Sequence, residues 1–429
     1  MTMKALICGI VMLILVSVCQ AELIAPNMPR KSTEKPKEIP AAPMIKWEKV
    51  QISDNTNEGI AVFDVNKDGK LDITAGPNWY EAPKWTPHPL RAVTVEQEEF
   101  MSNNTEYGFD VNGDGWTDVI AGSWFTNEIY WYENPGAKGL KAGEPWKQHL
   151  IARDIINHEG FLLVDLDGDK IPEIVVNSWN EERPLTVIRI FPGKEPRFEK
   201  VEIAKKGWGH GIAVGDLNGD GRPDIIVAKG WFEQPAKDPW TKPWSFQEET
   251  WSFKNDNNGI AHASVPGLVM DVNGDGRADL ITGLGHSHGL YWFEQGTTGN
   301  GPTTWTRHTI DESFSQAHCI IAADLDGSGK PSIITGKRWR GHKDGDPGIG
   351  EPMCIFRYIW DPAKEAFVRD TITFDDGVGS GMQIRVADMD GDGKLDIVVA
   401  GKTGTYILFN RGPIKTHAPT TAPAKKEKK

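Results

Sequence analysis

Cysteine is scarce in this chain of 429 residues: there are four, and two of them, Cys8 and Cys19, fall inside an apolar N-terminal stretch. The other two, Cys319 and Cys354, are assigned below to the first and third strands of one four-stranded unit. That places them two strand spacings, or ~9.5 Å, apart, more than a disulfide spans. A disulfide-held scaffold is excluded, and two buried thiols are expected. Positive charge is also short. With 47 Lys and Arg against 60 Asp and Glu, the net charge of −13 leaves no basic surface for a nucleic-acid backbone. Beyond residue 21 no apolar run is long enough to span a membrane. Local catalytic signatures such as H-E-x-x-H are missing too, so an active site has to be assembled from distant parts of the chain.

The N-terminal stretch is organised as a secretory leader. Residues 1–21 carry one early lysine, Lys4, then an apolar core at 5–18 and a C-Q-A ending, which predicts cleavage after Ala21 and export to the periplasm or beyond. Acylation at Cys19 is the alternative, disfavoured because Val18 is larger than the small residue such a site prefers. Residues 22–43, rich in Pro and Lys, read as a disordered linker, and the Thr/Pro/Lys segment 412–429 as a disordered tail. A protein partner stays open on this reading.

What the chain has in plenty is one repeated loop. Seven times a hydrophobic run ends in D-x-[DN]-x-D-G-x-x-D or a close variant, with starts at Asp64, Asp110, Asp165, Asp216, Asp271, Asp324 and Asp388, spaced 46 to 64 residues apart. Periods of this size mean blades or solenoid turns, none able to bury its apolar face alone. Oxygens at positions 1, 3, 5 and 9 with a carbonyl at 7 wrap a hard cation, and Gly at 6 makes the sharp turn, as in a shortened EF-hand loop. Calcium is the natural guest. Five loops are complete: Asp64/Asn66/Asp68/Asp72, Asp110/Asn112/Asp114/Asp118, Asp216/Asn218/Asp220/Asp224, Asp271/Asn273/Asp275/Asp279 and Asp388/Asp390/Asp392/Asp396. The third keeps Asp165, Asp167 and Asp169 but has Lys170 at the Gly position and Glu173 at the ninth. The sixth has Ser328 and Ser332 in place of two carboxylates.

Each repeat predicts four short strands. In the fifth, 279–282, 289–295 and 305–310 follow the loop as second, third and fourth strands, bounded by Gly and Asn. Fourth strands recur at 146–152, 198–204 and 367–372. Residues 47–52 form another copy of the fourth strand ahead of the first loop, and 405–410 a copy of the third. The two ends complement each other, so the N-terminal strand is expected to complete the seventh blade. The fold class predicted for 44–411 is all-β, a seven-bladed β-propeller of four-stranded blades.

In such a blade the segment before the first strand and the loop between the second and third open on one face, opposite the acidic loops. Counting back six residues from each loop gives Glu58, Asn104, Glu159, His210, Val265, His318 and Met382. In the fifth repeat the insertion at 264–268 shifts the frame and favours His262, and in the second Glu106 competes with Asn104. His210, His318, His262, Glu58 and Glu159 form a ring of acid/base groups too polar for a passive plug. The second loop set adds Asn78, Trp79, Trp124, Trp179, Lys229, Trp231, His286, His288, Lys337, Arg338, Trp339, His342 and Lys402. Tryptophan faces beside His, Lys and Glu suit a sugar, although Trp recurring after the second strand equally suits blade packing.

Three segments, W-G-H-G-I-A-V-G-D-L-N-G-D-G-R-P-D at 208–224, G-L-G-H-S-H-G-L-Y-W-F-E-Q at 283–295 and Q-A-H-C-I-I-A-A-D-L-D-G at 316–327, continued by T-G-K-R-W at 335–339, resemble the propeller domain of aldos-2-ulose dehydratase and its bacterial relatives. The acidic loops are similar to the FG-GAP/VCBS repeats of the integrin α-subunit propeller. The first resemblance implies dehydration of a keto-sugar such as 1,5-anhydrofructose or glucosone. The chain has one propeller and lacks the cupin domains of the fungal enzyme, so the isomerising activity is not implied. Elimination next to a carbonyl needs a base, an electrophile and an acid. His210 and His318 suit acid and base, Glu58 and Glu159 would orient them or join His262 around a divalent cation, and Lys337 and Arg338 would stabilise an enolate. The reading from another class is a non-catalytic propeller that binds a glycan or protein.

Overall fold

The computed structural model describes Ile39 and residues 44–96, 100–249, 263–297, 303–339 and 345–414. The expected leader, the rest of the linker, the tail beyond 414, His262 and His342 lie outside the described residues.

Seven four-stranded antiparallel sheets follow one another along the chain. Blade one is Ala61–Phe63, Asp72–Ala75, Asn78–Glu81 and Thr86–Pro89; blade two is Thr105–Phe109, Asp118–Gly122, Ile129–Glu133 and Lys147–Ala152. Blade three comprises Phe161–Val164, Glu173–Val176, Leu185–Phe191 and Arg197–Ala204, and blade four Ile212–Gly215, Asp224–Val227, Gly230–Glu233 and Ser245–Glu248. Leu268–Met270, Asp279–Gly283, His288–Thr297 and Thr303–Ser315 make blade five; Ile320–Ala323, Ser332–Lys337, Cys354–Asp361 and Ala366–Phe374 make blade six. The seventh sheet takes Gln383–Ala387, Asp396–Gly401 and Gly404–Pro413 from the end of the chain and Ile45–Ser53 from its beginning, with Trp47 opposite Asn410 and Val50 opposite Ile407.

Second strands such as Asp72–Ala75 and Asp224–Val227 are buried at every position. They are hydrogen-bonded on both sides and covered on both faces, so a run of Ile and Val suits them better than alternation. The outer strand Ile45–Ser53 is mostly accessible and correspondingly charged. Apolar clusters join each blade to the next. Ile60, Ile73 and Tyr80 of blade one meet Val398, Ile407 and Phe409 of blade seven, and Val65 and Trp79 meet Val119 and Tyr132 of blade two. Similar clusters connect the other neighbours. Burying each such side chain contributes about 1.5–3 kcal/mol, so these seams hold the fold. Cys319 and Cys354 are buried free thiols, as the sequence predicts.

The acidic loops share one hydrogen-bonding pattern. Asp64 Oδ1 accepts from Asp68 N at 3.1 Å and its Oδ2 from Gly69 N at 2.9 Å. Gly69 sits at φ +87° and Gly115, Gly221 and Gly276 at +86°, where a side chain is disfavoured. Lys170 takes the same turn at +73°, and its N–H reaches Asp165 Oδ2 at 2.9 Å, so loop three keeps the shape without the glycine. The ninth-position acid points inward: Asp72 is fully buried, with Oδ2 accepting from Val65 N at 3.0 Å and Oδ1 from Ala82 N at 2.8 Å. The same two bonds recur at Asp118 and Asp224.

Candidate active site

The segments before the first strands and the loops after the second strands meet on one face, and the polar cluster there draws on both. Glu159, His210 and His318 precede the first strands of blades three, four and six; His286 and Arg338 follow the second strands of blades five and six. Glu159 is the hub. Its Oε2 lies 3.3 Å from His318 Nε2, 3.4 Å from His286 Nε2 and 3.5 Å from His210 Nε2. Its Oε1 accepts from Arg338 Nη1 at 2.6 Å. Arg338 then spans to Glu58 through Nε and Nη2 at 2.7 and 2.8 Å, a bidentate pair. The His210 and His318 rings stack 5.8 Å apart, and His286 stands edge-on to His318 at 4.7 Å. Glu159 and His286 keep 10% of their side-chain surface accessible, against 0% for His318, so the cluster opens along the Glu159–His286 edge.

Electrostatics sort these groups. Burial works against ionised Glu58, but Arg338 and Lys402 outweigh it and hold the carboxyl below its ordinary range. Glu159 is held well below that range against the same burial, by His318 only where that ring is protonated and by Arg338 at every pH. Burial lowers His318 to about 4, with Glu159 opposing only in part. Burial acts on His286 too, yet hydrogen bonds to Asp346 and Glu159 win and raise it to about 9. His286 Nδ1 lies 3.3 Å from Asp346 Oδ2.

The structure thus unites Glu58, Glu159, His210, His318 and His286. Asn104 belongs to the surroundings: its Nδ2 reaches Glu58 Oε2 at 3.5 Å, and its Oδ1 accepts from Trp124 N at 2.9 Å. Trp124 stands edge-on to Trp179 with centroids 6.2 Å apart, and Trp179 is 41% exposed. Lys402 Nζ lies 3.9 Å from Glu58 Oε2.

Other expectations need correction. Trp79 and Trp231 are 3% and 9% exposed and belong to the seams between blades, so they pack rather than stack on a ligand. Arg338 has its donors turned to two carboxylates and one imidazole, which makes it an orienting group rather than an enolate stabiliser. Lys337 is buried with Nζ on its neighbour's carbonyl, Arg338 O, at 3.3 Å. Lys229 is exposed and covers the Trp208 ring at 4.9 Å. His288 pairs with Glu351 at 2.9 Å, away from Glu159. Glu106 does not compete with Asn104: it is buried against Arg91, Thr74 Oγ1 and Gly76 N. Sequence reasoning missed Asp346, whose loop has no counterpart in the other repeats.

Two kinds of donor set fit metal ions. The four ligand atoms of Glu159, His210, His286 and His318 lie within 4.8 Å of one another, and an ion among them would displace Arg338 Nη1 from its place 3.2 Å from His318 Nε2. A tetrahedral zinc site with bonds of ~2.0–2.1 Å has edges of about 3.3–3.4 Å, which the three distances to Glu159 Oε2 resemble. Acidic oxygens also gather within 4.8 Å at Asp165/Asp167/Glu173 and at Asp388/Asp390/Asp396. Their hard-oxygen chemistry suits calcium.

In loops one, two, four and five the third and fifth side chains are turned to other partners. Asn66 Oδ1 accepts from Asp68 N at 2.9 Å, and its Nδ2 donates to Glu81 Oε1 at 3.1 Å. Asn112, Asn218 and Asn273 likewise accept at 3.0 Å from the N–H of Asp114, Asp220 and Asp275. Their amide nitrogens donate to the Oδ2 of those same acids at 3.2, 3.1 and 3.4 Å, and Asn273 Nδ2 also reaches Glu294 at 2.9 Å. Asp114 Oδ1 accepts from Trp116 N at 2.8 Å, while Asp68, Asp220 and Asp275 pair with Lys70, Arg222 and Arg277 at the seventh position. Backbone, amide, ammonium and guanidinium donors engage these oxygens, and the acidic triads of loops three and seven arise because their third position is Asp rather than Asn. Even there the fifth position stands apart: Asp169 Oδ1 accepts from Ile171 N at 2.7 Å, and Asp392 pairs with Lys394 at 2.7 Å.

Fold and loops together define a seven-bladed propeller carrying FG-GAP-like repeats, and the FG-GAP-like repeat family matches residues 110–176, 165–227 and 271–335. The chain is similar to the aldos-2-ulose dehydratase of Phanerodontia chrysosporium, 23% identical over 317 residues that cover 64% of this chain and 33% of that protein. It is also similar to a T-cell immunomodulatory protein homolog of Plasmodium falciparum, 22% identical over 264 residues, 55% of this chain and 36% of that one. It therefore spans about a third of the length of these curated relatives. Similar solved structures include an Agrocybe aegerita lectin that recognises non-reducing terminal N-acetylglucosamine, at 15% identity, 87% and 91% coverage of the two chains and a TM-score of 0.46. Another is a rhamnogalacturonan lyase of Bacillus licheniformis, at 13% identity, 88% and 75% coverage and a TM-score of 0.37.

Proposed function

We propose that this protein is an exported, carbohydrate-directed lyase that removes water from a keto-sugar at the Glu159 cluster with the help of a divalent cation. The observation that carries the reading is the convergence of three imidazole Nε2 atoms on one carboxylate oxygen at the mouth formed by both loop sets. The similarity to a protein named aldos-2-ulose dehydratase supports the reaction class. His210, His286, His318 and Glu159 would hold the cation, which changes the roles of His210 and His318 from acid and base to ligands. A bound zinc ion would supply a Lewis acid that polarises a carbonyl oxygen and acidifies the neighbouring C–H.

The chain's own residues do the rest. The exposed face of Trp179 stacks on the sugar ring, with Trp124 standing edge-on beside it. Arg338 fixes both carboxylates, so neither reorganises when substrate arrives. Glu58, held ionised, accepts the α-proton, and the Lys402 ammonium 3.9 Å away donates to the departing hydroxyl. Glu58 is a weak base by virtue of its partners, and acidification of the C–H offsets this. On the opposite face the acidic loops bind calcium and stiffen the blades; Asn66, Asn112, Asn218 and Asn273 turn their amide oxygens, and Asp68, Asp114, Asp220 and Asp275 their carboxylates, from the present partners to the ion.

Purified protein loaded with zinc and calcium, incubated with 1,5-anhydrofructose, glucosone and other keto-sugars, should release an unsaturated product seen by ultraviolet absorbance. His318→Ala should abolish it, and Glu58→Gln should slow it by about 10²- to 10⁴-fold, the usual worth of one proton-transfer group. Absence of product from every keto-sugar, with glycan binding retained, would leave the binding-module reading in its place.

A further inference from the structure

In the connection between the second and third strands of blade six, residues 345–353 lie against blade five. Glu351 holds them there through His288, whose Nε2 lies 2.9 and 3.0 Å from the two carboxylate oxygens. The approach is close at Gly348: its φ is +75°, and a Cβ there would lie 2.3 Å from Ser315 Oγ. Two local turns, Ile349 N to Asp346 O at 3.3 Å and Glu351 N to Gly348 O at 2.9 Å, tighten the segment. This places the Asp346 carboxylate, 8% exposed, against His286 Nδ1 at 3.3 Å while Nε2 of the same ring faces Glu159.

We infer that Asp346 is a positioning residue for the metal centre: it holds the proton on His286 Nδ1 and fixes the ring so that the Nε2 lone pair points at the ligand cluster. The inference rests on the cation site proposed above. An imidazole offers a metal one nitrogen, and the partner of the other nitrogen decides which. Among the histidines of the cluster, His318 has Nδ1 buried without a hydrogen-bond partner, whereas His286 has a carboxylate there. His286 is also at the accessible edge, where a ring without such a partner would be freest to turn. Asp346 therefore controls the ligand closest to incoming substrate, and blade six supplies it to a residue of blade five.

Zinc affinity of the calcium-loaded protein, measured by competition with a chromogenic chelator, tests this. Asp346→Asn should weaken zinc binding about 10- to 100-fold, the usual effect of removing such an outer partner, and Asp346→Glu should recover part of the loss. Glu351→Gln, which loosens the segment without touching the His286 carboxylate contact, should have the smaller effect. Wild-type affinity in Asp346→Asn overturns the positioning role while leaving the metal site standing. Wild-type protein that binds no zinc removable by His318→Ala overturns the site and the inference together. Should Asp346→Asn fail to fold, imidazole ¹⁵N spectra of the zinc-loaded wild type decide: a protonated His286 Nδ1 supports the assignment, and a bare one rejects it.

Discussion

Replacing Arg338 by Met removes the one cation shared by two buried carboxylates. Side-chain exposures are 3% for Arg338, 4% for Glu58 and 10% for Glu159, so solvent cannot take over its role. Breaking a buried pair from one side costs about 3–5 kcal/mol. Lys402 remains 3.9 Å from Glu58 and three imidazoles remain beside Glu159, which points to the lower end of that range. A loss of about 3 kcal/mol, roughly a hundredfold in the folding equilibrium, is expected near neutral pH. The assay is urea denaturation followed by tryptophan fluorescence, with calcium saturating and zinc withheld. The pH dependence has a definite sign. In the wild type Glu58 is lowered below 4.5, so its contribution is complete above that value and fades only as pH falls through the depressed folded value. In the variant Lys402 alone is left to oppose burial, so the folded pKa rises, the folded state takes up protons first and the deficit narrows as pH falls from neutral towards the unfolded carboxylate range. A deficit below about 1 kcal/mol at neutral pH, or one that widens on acidification, would refute the reasoning.

Chelating calcium should lower the melting temperature, because each bound ion offsets the repulsion of several carboxylates in one short loop; an unchanged thermal melt in excess chelator would reject calcium as the guest. Asp220→Ala should remove one bound calcium and no more, as counted by isothermal titration. Deleting residues 47–52 takes away the outer strand of the seventh sheet and exposes Gly404–Pro413, so aggregation or a broad melt is expected, and a cooperative wild-type melt would contradict the pairing's importance. Burial raises Cys319 to about 11 and Cys354 to about 12, so neither should react with a thiol reagent near pH 8 until the protein is denatured; rapid labelling of the native protein would count against both placements.

The blades were legible because each acidic loop marks where a first strand ends and a second begins. Counting back from that mark reached Glu58, Glu159, His210 and His318, since the first strand has nearly constant length. The roles were less legible. His286 and Arg338 appeared as members of the second loop set, but their partners come from other blades, 127 and 280 residues away in the cases of Glu159 and Glu58, and no spacing encodes such pairs. Within the acidic loops the motif spacing shows which oxygens are near one another, but not that Lys70, Arg222 and Arg277 turn back onto the fifth-position acids two residues earlier. Trp79 and Trp231 were misread because they lie within third strands, whose successive side chains alternate between two seams: Trp79 enters the one with blade two, and Tyr80 the one with blade seven. Asp346 left no mark: its loop is an insertion outside the repeat, where Asp and Gly look like ordinary turn residues.

The pairing of Ile45–Ser53 with Gly404–Pro413 sets an order on biogenesis. Gln51 lies 352 residues before Thr403, whose carbonyl its side chain contacts. At ribosomal rates of about 5–20 residues per second, the first strand to be made waits roughly 20–70 s for its partner to exist. During that interval it is an unpaired β-segment in a crowded environment. Lys46, Glu48 and Lys49 put charge on this strand, which discourages pairing with the wrong neighbour. Neutralising those three residues would leave the finished propeller little changed, and would be felt instead as lower yield of folded chain from newly made protein.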